Sequence, residues 1–500
     1  TGAGKTLLAL AAIAWLAEQF LSESGRGIKI KIIVPQVFLA QQWLKSMQEE
    51  LRIPREDLGI YAGGRKDPIS RRVMIYVVNS ARYSLSQHFM EDYRKGYVQF
   101  VIADECHHYT SPENFKVFRY INKINKADRG ALYFSLGLTA TPDTEILQEK
   151  LEAALGPSIY HYGFIEALNS QIINHFSIFN IDLPFNREEE AAYQEISERI
   201  AFVWDELLRL CPSLRGMSRA RFFAVLESMA QAANGLRESE LARSLLTSSH
   251  QRKDIVYRAE SRLACMTSLV QQIPQQSRIL VFCERIDLAD KIFAEVDQLF
   301  PGQVGRYHSE MDMGSRKRML ERYRNLETRI LISCRALDEG LDVPETDVGI
   351  VAASTSSPRQ RVQRLGRILR RSQECPTSYL YYLYIGRSNE EAEMLGEATA
   401  DLVGTIPVLY LQYNREQQLL SHPAYEELAQ RVLRYARRQN WPLKIVSEIE
   451  RNLEQGKIRC DWWMAEENCR ERIRDAASRR EKNYWITMRL MVLASLNRLK

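Results

Sequence analysis

The stretch Phe100-Val101-Ile102-Ala103-Asp104-Glu105-Cys106-His107 runs from an apolar strand directly into two acids. The carboxyl ends of the strands in a parallel α/β sheet open onto the ligand crevice. We therefore expect Asp104 and Glu105 at the mouth of a nucleotide site, with Asp104 binding Mg²⁺ and Glu105 acting as the general base toward water. Apolar strands that end in an acid also occur in ordinary loops, so this stretch needs support from the rest of the chain.

The composition is that of a soluble globular protein, with 45% apolar and 26% charged residues in a chain of 500. That length exceeds a single core and predicts three or four domains. No apolar run approaches the ~20 residues that cross a bilayer, so no membrane partner is expected. The eight cysteines form no C-x-x-C pair and are expected to be reduced thiols of a cytoplasmic protein. The formal net charge of +5 permits a polyanionic partner without requiring one.

The first six residues read TGAGKT, the end of the phosphate-loop pattern G-x-x-x-x-G-K-[ST]. The first position of that pattern and the strand before it are expected upstream of residue 1. Gly2 and Gly4 would let backbone N–H groups approach phosphate oxygens, while Lys5 would reach the β- and γ-phosphates and Thr6 would bind Mg²⁺. The apolar residues that follow predict a helix whose N-terminus faces the phosphates. The alternative is a chance glycine-rich turn before a helix.

Strand-like apolar runs alternate with helical stretches, which predicts parallel doubly wound sheets. In a first lobe we expect strands at 28–34, 73–78, 97–103 and 131–138, with helices at 36–50 and from residue 80. In a second lobe we expect strands at 278–283, 304–307, 329–333, 348–352 and 378–385, with helices at 286–299 and 315–325. Residues 52–72 are interpreted as a polar connection.

Four parts follow from these patterns. Residues 1–165 would form the first nucleotide-binding lobe and 266–390 the second, with a junction and helical bridge at 166–265 and a helical accessory domain at 391–500. No strand pattern is visible after about residue 390. The mixture of arginine and tryptophan in that last part could stack bases, but it is more typical of amphipathic helices with a charged exterior.

Several motifs, in order over roughly residues 1–390, resemble those of the superfamily 2 helicases and translocases. The residues that carry this resemblance are Thr1–Thr6, Val34-Pro35-Gln36 with Leu39 and Gln42-Trp43, Asp104-Glu105-Cys106-His107, Leu138–Pro142, Val281–Cys283, Ala336–Pro344 and Gln363–Arg370. The D-E-x-H box and the glutamine of the last motif resemble the D-E-x-H group, which contains the XPB-type DNA helicases and the restriction-enzyme translocases. Residues Tyr160–Tyr162, Ile165–Leu168 and Ile172–Ile173 resemble the lobe junction of XPB-like proteins. The implied fold is a pair of RecA-like lobes that bind ATP and Mg²⁺ between them.

The resemblance also implies roles for residues of the second lobe. Gln363 would position the attacking water, and Arg367 and Arg370 would act as arginine fingers on the γ-phosphate. Asp342 would contact the ribose or the second-lobe side of the nucleotide site. A solvated basic face is the alternative for the arginines.

Coupling residues are implied by the same motifs. His107 would link the acidic box to Gln363 or to the threonine motif, in which Thr139 and Thr141 would relay the change on hydrolysis. A purely structural histidine and helix-capping threonines are the alternatives.

The nucleic-acid side is assigned to residues that suit backbone contacts. The candidates are Gln42, Arg82, Ser309, Arg316 and Arg335. The implied function is an ATP-dependent helicase or translocase, with DNA as the expected partner. The alternatives are an RNA helicase, a motor subunit of a restriction or defence complex whose nuclease lies on another chain, and an inactive ATPase that serves as a clamp.

Overall fold

The structure, a computed structural model, divides after Ile173 into two compact units. It describes residues 4–23, 27–125, 128, 132–139, 144–170, 172–217, 219–232, 235–334, 346–353, 377–390, 406–421, 423–454, 466–496 and 498–499. No helix in these ranges is both long and apolar enough to cross a membrane.

The first unit is built on a six-stranded sheet. Its strands are β1 (Ile28–Val34), β2 (Leu58–Ala62), β3 (Arg65–Lys66), β4 (Val73–Val77), β5 (Val98–Ala103) and β6 (Tyr133–Gly137). Their order is β3-β2-β4-β1-β5-β6, and every pair is parallel except β2 with β3. The register places Ala103 between Ile33 and Gly137, so the carboxyl ends of β1, β5 and β6 meet at one edge.

Helices cover both faces of this sheet. They are α1 (Lys5–Glu23), α2 (Val37–Glu49), α3 (Val78–Arg94), α4 (Pro112–Phe115), α5 (Thr144–Leu155) and α6 (Phe164–Asn169), with 3₁₀ turns at Arg55–Asp57, Cys106–Thr110 and Lys116–Lys123. One buried cluster joins α1 and α2 to Phe100 and Ile102, and another joins α3 to Val101 and Ala103. Successive residues of β5 therefore face opposite layers, as the period of two in a strand requires.

The polar connection expected at 52–72 is wrong in part, because it contains β2 and β3. Leu58 and Ile60 are buried in the cluster beneath α2, and Tyr61 pairs with Lys66 across the Gly63-Gly64 turn. The apolar residues of β2 are few and are followed by charged residues, so the stretch lacks the run that marks the other strands.

The second unit is built on an eight-stranded sheet. Its strands are β7 (His175–Leu183), β8 (Ile279–Cys283), β9 (Val304–Tyr307), β10 (Ile330–Cys334), β11 (Val348–Val351), β12 (Thr377–Ile385), β13 (Val408–Tyr413) and β14 (Leu419–Ser421). The order is β14-β13-β7-β12-β11-β8-β10-β9, with only β14 antiparallel to its neighbour. Both sheets are thus of the parallel α/β type expected for the two lobes.

Ten helices are described in the second unit. They are α7 (Arg187–Leu210), α8 (Arg219–Gln231), α9 (Arg237–Arg258), α10 (Glu260–Gln272), α11 (Ile286–Leu299), α12 (Met313–Arg324), α13 (Pro423–Arg438), α14 (Leu443–Glu454), α15 (Glu466–Asp475) and α16 (Arg479–Ser495). Helices α7 to α9 enclose a small core of their own around Leu207, Leu226 and Leu245, which agrees with the expected helical bridge.

Two strands correct the prediction that no strand lies beyond about residue 390. Strand β13 pairs in parallel with β7, and β14 pairs with β13. Both faces of β13 are largely buried, which explains why its six residues are mostly apolar or aromatic rather than alternating. From Pro423 onward the described elements are helical, and Trp485 lies in the same core as the sheet. That tryptophan is therefore a packing residue rather than an exposed surface for base stacking.

Candidate active site

Helix α1 begins at Lys5, directly after the glycine of the phosphate-loop pattern. Gly4 has φ +76°, a conformation that L side chains rarely adopt, and its carbonyl accepts a hydrogen bond from the Leu8 N–H at 2.9 Å. The first turn of α1 contains no acidic residue, and Thr6 in that turn is exposed. The free N–H groups and the positive end of the helix dipole at such a turn favour an anion.

Asp104 follows β5 and is held on three sides. Its backbone N–H donates to the Ile33 carbonyl at 2.9 Å, which continues the sheet by one residue. The Trp43 indole Nε1–H donates to Asp104 Oδ2 at 2.8 Å, and the Glu105 backbone N–H donates to Oδ1 at 3.0 Å. The Tyr109 hydroxyl donates to the Asp104 carbonyl at 2.9 Å. The orientation of this carboxylate is therefore fixed by the surrounding protein.

Glu105 lies at a sharp turn of the backbone. Its φ of 45° and ψ of 53° are left-handed, which is uncommon for a residue with a side chain. Its Oε1 lies 3.0 Å from Lys5 Nζ. Its Oε2 is buried without a hydrogen-bond partner among the residues that the structure describes, and His107 Nδ1 is 3.6 Å away. Oε2 is thus the atom that is left to accept a proton or a hydrogen bond from a ligand.

The pKa values of Asp104 and Glu105 are shifted in opposite directions. Burial raises the pKa of the Asp104 carboxyl, the Glu105 charge raises it further, and the hydrogen bond from Trp43 partly offsets both. Burial acts in the same sense on Glu105, but the charge and hydrogen bond of Lys5 outweigh it, so the Glu105 pKa lies below its ordinary value. Two neighbouring carboxylates with divergent pKa values are typical of a site in which they have different tasks.

His107 joins the acidic box to the threonine motif. Its Nδ1 lies 2.9 Å from Thr139 Oγ1, and its ring is buried. The Cys106 N–H donates to the Leu138 carbonyl at 2.8 Å, so the two segments are also joined through their backbones. Burial raises the pKa of the Cys106 thiol to about 12, which makes this side chain unreactive at neutral pH.

Two side chains supply oxygen donors that suit a hard cation. They are the Thr6 hydroxyl in the first turn of α1 and the Asp104 carboxylate after β5. No group of three or more histidine, cysteine, aspartate or glutamate side chains within the described part of the chain forms a cage for a metal. Mg²⁺ binds through one or two protein oxygens when substrate phosphates supply others. The donor set therefore fits Mg²⁺ that binds together with a nucleotide.

The first unit brings together Lys5, Asp104, Glu105, His107 and Thr139, all of which the sequence singles out. Seven predicted site residues lie outside the described ranges, namely Gly2, Thr141, Arg335, Asp342, Gln363, Arg367 and Arg370.

The candidate nucleic-acid residues are divided between the units. Gln42 lies on α2, and Arg82 lies on α3, where its Nη2 donates to Asn79 Oδ1 at 2.6 Å. Ser309 is exposed just beyond β9, and Arg316 lies in the first turn of α12.

Two residues that hold Asp104 are not predicted as site residues by the sequence, Trp43 and Tyr109. Trp43 directly follows Gln42, a candidate nucleic-acid residue, yet only 2% of it is exposed. The spacing of Leu39, Trp43 and Met47 places all three on the buried side of α2. A buried indole N–H needs an acceptor, and that requirement is the one signal in the sequence that points to a polar neighbour.

Family models match both ends of the predicted motif series. Residues 1–144 match the model described as type III restriction enzyme, res subunit. Residues 261–372 match the model described as helicase conserved C-terminal domain. These ranges contain the phosphate-loop and acidic motifs in the first case and the second-lobe motifs in the other.

Curated relatives match over most of the chain. The DNA 3'-5' translocase XPB2 of Sulfurisphaera tokodaii is 26% identical over 372 residues, which cover 74% of this chain and 73% of that protein. The putative DNA 3'-5' helicase Rad25 of Haloarcula marismortui is 24% identical over 372 residues, which cover 74% of this chain and 46% of that protein. The chain thus spans nearly three quarters of one relative and less than half of the other.

A solved structure shares the fold. It is a fragment of a putative HsdR subunit of a type I restriction enzyme from Vibrio vulnificus, with a TM-score of 0.51 over 84% of this chain and 64% of that chain. The two sequences are 16% identical, so the likeness concerns the architecture.

Proposed function

Because the chain belongs to the superfamily 2 DExH-type helicases and translocases, a family of ATP-hydrolysing enzymes that act on nucleic acid, we propose that it uses ATP to move along DNA. The observation that carries this proposal is the arrangement of Lys5, Asp104 and Glu105 at one edge of the first sheet. Phosphate hydrolysis needs a cation for the phosphates, a carboxylate for Mg²⁺ and a group that positions water, and these three residues are of those types. Lys5 Nζ lies 3.0 Å from Glu105 Oε1, which brings two of them together.

Glu105 is proposed as the general base that orients or deprotonates the attacking water. Lys5 keeps its carboxylate charged, and Oε2 has no hydrogen-bond partner among the described residues. When phosphates reach the N-terminus of α1, Lys5 would exchange one oxygen of Glu105 for phosphate oxygens. Mg²⁺ bound by Thr6 and Asp104 would neutralise charge on the β- and γ-phosphates.

The remaining catalytic residues are proposed from the motifs that they occupy. Gln363 would position water, Arg367 and Arg370 would stabilise the charge that develops on the γ-phosphate, and Asp342 would contact the ribose. Arginine suits the finger role because its planar fork binds phosphate oxygens in pairs.

Coupling to movement is proposed to pass through His107 and Thr139, with Thr141 in the same motif. The 2.9 Å contact between the first two residues supports this, because it joins the segment that hydrolyses ATP to the segment that follows β6. Gain and loss of ATP between two lobes is a general means of opening and closing them.

DNA is proposed as the track because both curated relatives described above carry DNA in their names. Backbone contacts would come from Gln42, Arg82, Ser309, Arg316 and Arg335. The bridge helices α7 to α9 and the C-terminal helices α13 to α16 would determine the biological task. The match to the restriction-enzyme res-subunit model supports a second proposal, that the chain works as the motor subunit beside a nuclease on another chain.

Steady-state ATPase assays test the proposal. The purified protein is measured without nucleic acid, with duplex DNA, with single-stranded DNA and with RNA, each beside Glu105→Gln. Strong stimulation by DNA that disappears in Glu105→Gln supports a DNA motor. Stimulation by RNA alone identifies an RNA helicase, and no hydrolysis under any condition contradicts the motor for the isolated chain.

A further inference from the structure

Trp43 lies in the buried cluster between α2 and the first sheet, and its polar atom is directed at the acidic box. Its indole Nε1–H donates to Asp104 Oδ2 at 2.8 Å, across 61 residues of sequence. Trp43 is 2% exposed and Asp104 is 8% exposed. A hydrogen bond shielded from water in this way has a fixed geometry, since neither group can exchange it freely for solvent.

The two oxygens of Asp104 are each held by one N–H group. The Glu105 amide holds Oδ1 at 3.0 Å, and the Trp43 indole holds Oδ2 at 2.8 Å. An ionised carboxylate has about four lone-pair positions. Two donors therefore fix the plane of the carboxylate while leaving positions free for a cation or its water ligands.

The Asp104 side chain faces α1 and α2 because it continues one face of β5. Phe100 and Ile102 on that face pack in the cluster that contains Trp43, whereas Val101 and Ala103 pack in the cluster around α3. Thr6 and Lys5 start α1, which covers the same face. The indole is thus placed behind the carboxylate, on the layer that also supplies the phosphate loop.

We propose that Trp43 is a positioning residue for Mg²⁺, which orients Asp104 for the cation that accompanies the nucleotide. The proposal rests on the proposed function and adds a residue to it. The helix α2 segment that contains Gln42 and Trp43 then serves the nucleotide site in addition to any contact with nucleic acid. Groups that orient a metal ligand typically change metal affinity or activity by 10–100-fold when they are removed.

The test is equilibrium binding of a fluorescent ADP analogue, measured in EDTA and across a Mg²⁺ titration. In Trp43→Phe the ring remains but the N–H is lost, so affinity in EDTA should match the wild type. The Mg²⁺ concentration for half-maximal binding should rise about tenfold. Trp15→Phe is the matched control, because Trp15 lies on α1 with 61% of its surface exposed and should leave both quantities unchanged.

A second variant distinguishes the loss of the N–H donor from a general packing defect. Replacement of Trp43 by benzothienylalanine keeps the bicyclic shape and substitutes sulfur for the N–H, so the core is preserved while the donor is lost. It should reproduce the loss of Mg²⁺ affinity with an unchanged thermal midpoint in EDTA. Trp43→His, which restores an N–H donor, should recover part of the affinity.

The outcomes separate this inference from the proposed function. One outcome is that Mg²⁺ raises the affinity for the ADP analogue equally in the wild type and in the variant with benzothienylalanine in place of Trp43. In that case Trp43 is a core residue only and the inference is wrong. If the wild type binds the nucleotide analogue under no condition, the proposed function fails and the inference fails with it.

Discussion

Lys5 Nζ lies 3.0 Å from Glu105 Oε1, so the phosphate-loop lysine is paired with the proposed general base. The pair is mostly shielded, with side-chain exposures of 22% and 13%. In the proposed mechanism the same lysine would bind the phosphates of ATP in place of this carboxylate.

Replacing Lys5 with methionine should strongly reduce ATP turnover. The variant loses the cation that would meet the phosphates, and we expect kcat/KM to fall by about 10²–10³-fold, the size of effect seen when one charge-stabilising donor is removed. ATPase assays with saturating nucleic acid measure this. Lys45→Met is the matched control, since Lys45 is exposed and its ion pair with Glu49 lies on the surface of α2. Equal activity of Lys5→Met and wild type would rule out the phosphate-loop assignment.

Glu105→Gln should separate binding from chemistry. The amide can still contact Lys5 through its oxygen but cannot accept a proton, so nucleotide affinity should persist while kcat drops by roughly 10²–10⁴-fold. Glu113→Gln provides the control, because this acid is exposed on α4 and pairs only with Lys116 among the contacts described. A variant that hydrolyses ATP at the wild-type rate would show that another group activates the water.

The Lys5–Glu105 pair should also make stability depend on pH. The folded-state pKa of Glu105 lies below its ordinary value of 4.5, so the pair contributes stability above that value and loses it as the pH falls through the lowered pKa. At pH 7 we expect Lys5→Met to be less stable than wild type by roughly 1.5–3 kcal/mol, the range for a hydrogen bond to a charged group. Urea unfolding between pH 7 and pH 3 should show this gap closing at the acid end. A gap that widens toward low pH would contradict the assignment.

The sequence alone predicts the local features of the fold and of the site, but not the contacts between distant residues. The D-E-x-H box, the phosphate loop and most strands of both sheets are visible because continuous apolar runs and glycine spacing are local signals. Strands β2 and β13 are not visible in the sequence. Strand β2 is short and lies beside charged residues, and β13 lies in a region with helical composition. The contact between Trp43 and Asp104 joins residues 61 apart, and only the packing of α2 on the sheet creates it.

Thr139→Val should uncouple hydrolysis from its nucleic-acid stimulus. The substitution removes the hydroxyl that meets His107 Nδ1 at 2.9 Å and keeps the shape of the side chain. We expect basal ATPase to remain and stimulation by DNA to fall about 5–150-fold, the usual range for coupling between sites. Thr110→Val is the control, since its hydroxyl donates to the backbone carbonyl of the same histidine at 3.0 Å. If the Thr139 and Thr110 variants behave alike, the ring contact is not part of the relay.

Among the described residues of the second unit, Arg262 is a buried charge whose removal should destabilise the fold strongly. Its guanidinium is fully buried and pairs with Glu390, and it also donates to the carbonyls of Val256, Ala352 and Leu383 at 2.8, 2.6 and 3.1 Å. Arg262 thus ties α9 and α10 to the carboxyl ends of β11 and β12. Arg262→Met removes the cation that pairs with a buried carboxylate and the N–H groups that donate to three carbonyls, and removal of one partner of a buried pair typically costs about 3–5 kcal/mol.

Urea unfolding of the whole chain measures that loss. Arg258→Met is the matched control, because its ion pair with Asp287 at 3.2 Å is exposed and should contribute about 0–1 kcal/mol. Adding Glu390→Leu to Arg262→Met should recover part of the stability, since the double variant no longer buries a carboxylate that has lost its arginine. A single variant as stable as wild type would mean that water or other groups replace the arginine. A double variant less stable than Arg262→Met alone would mean that Glu390 has a second structural role, through its acceptance of the Ile385 N–H at 2.9 Å.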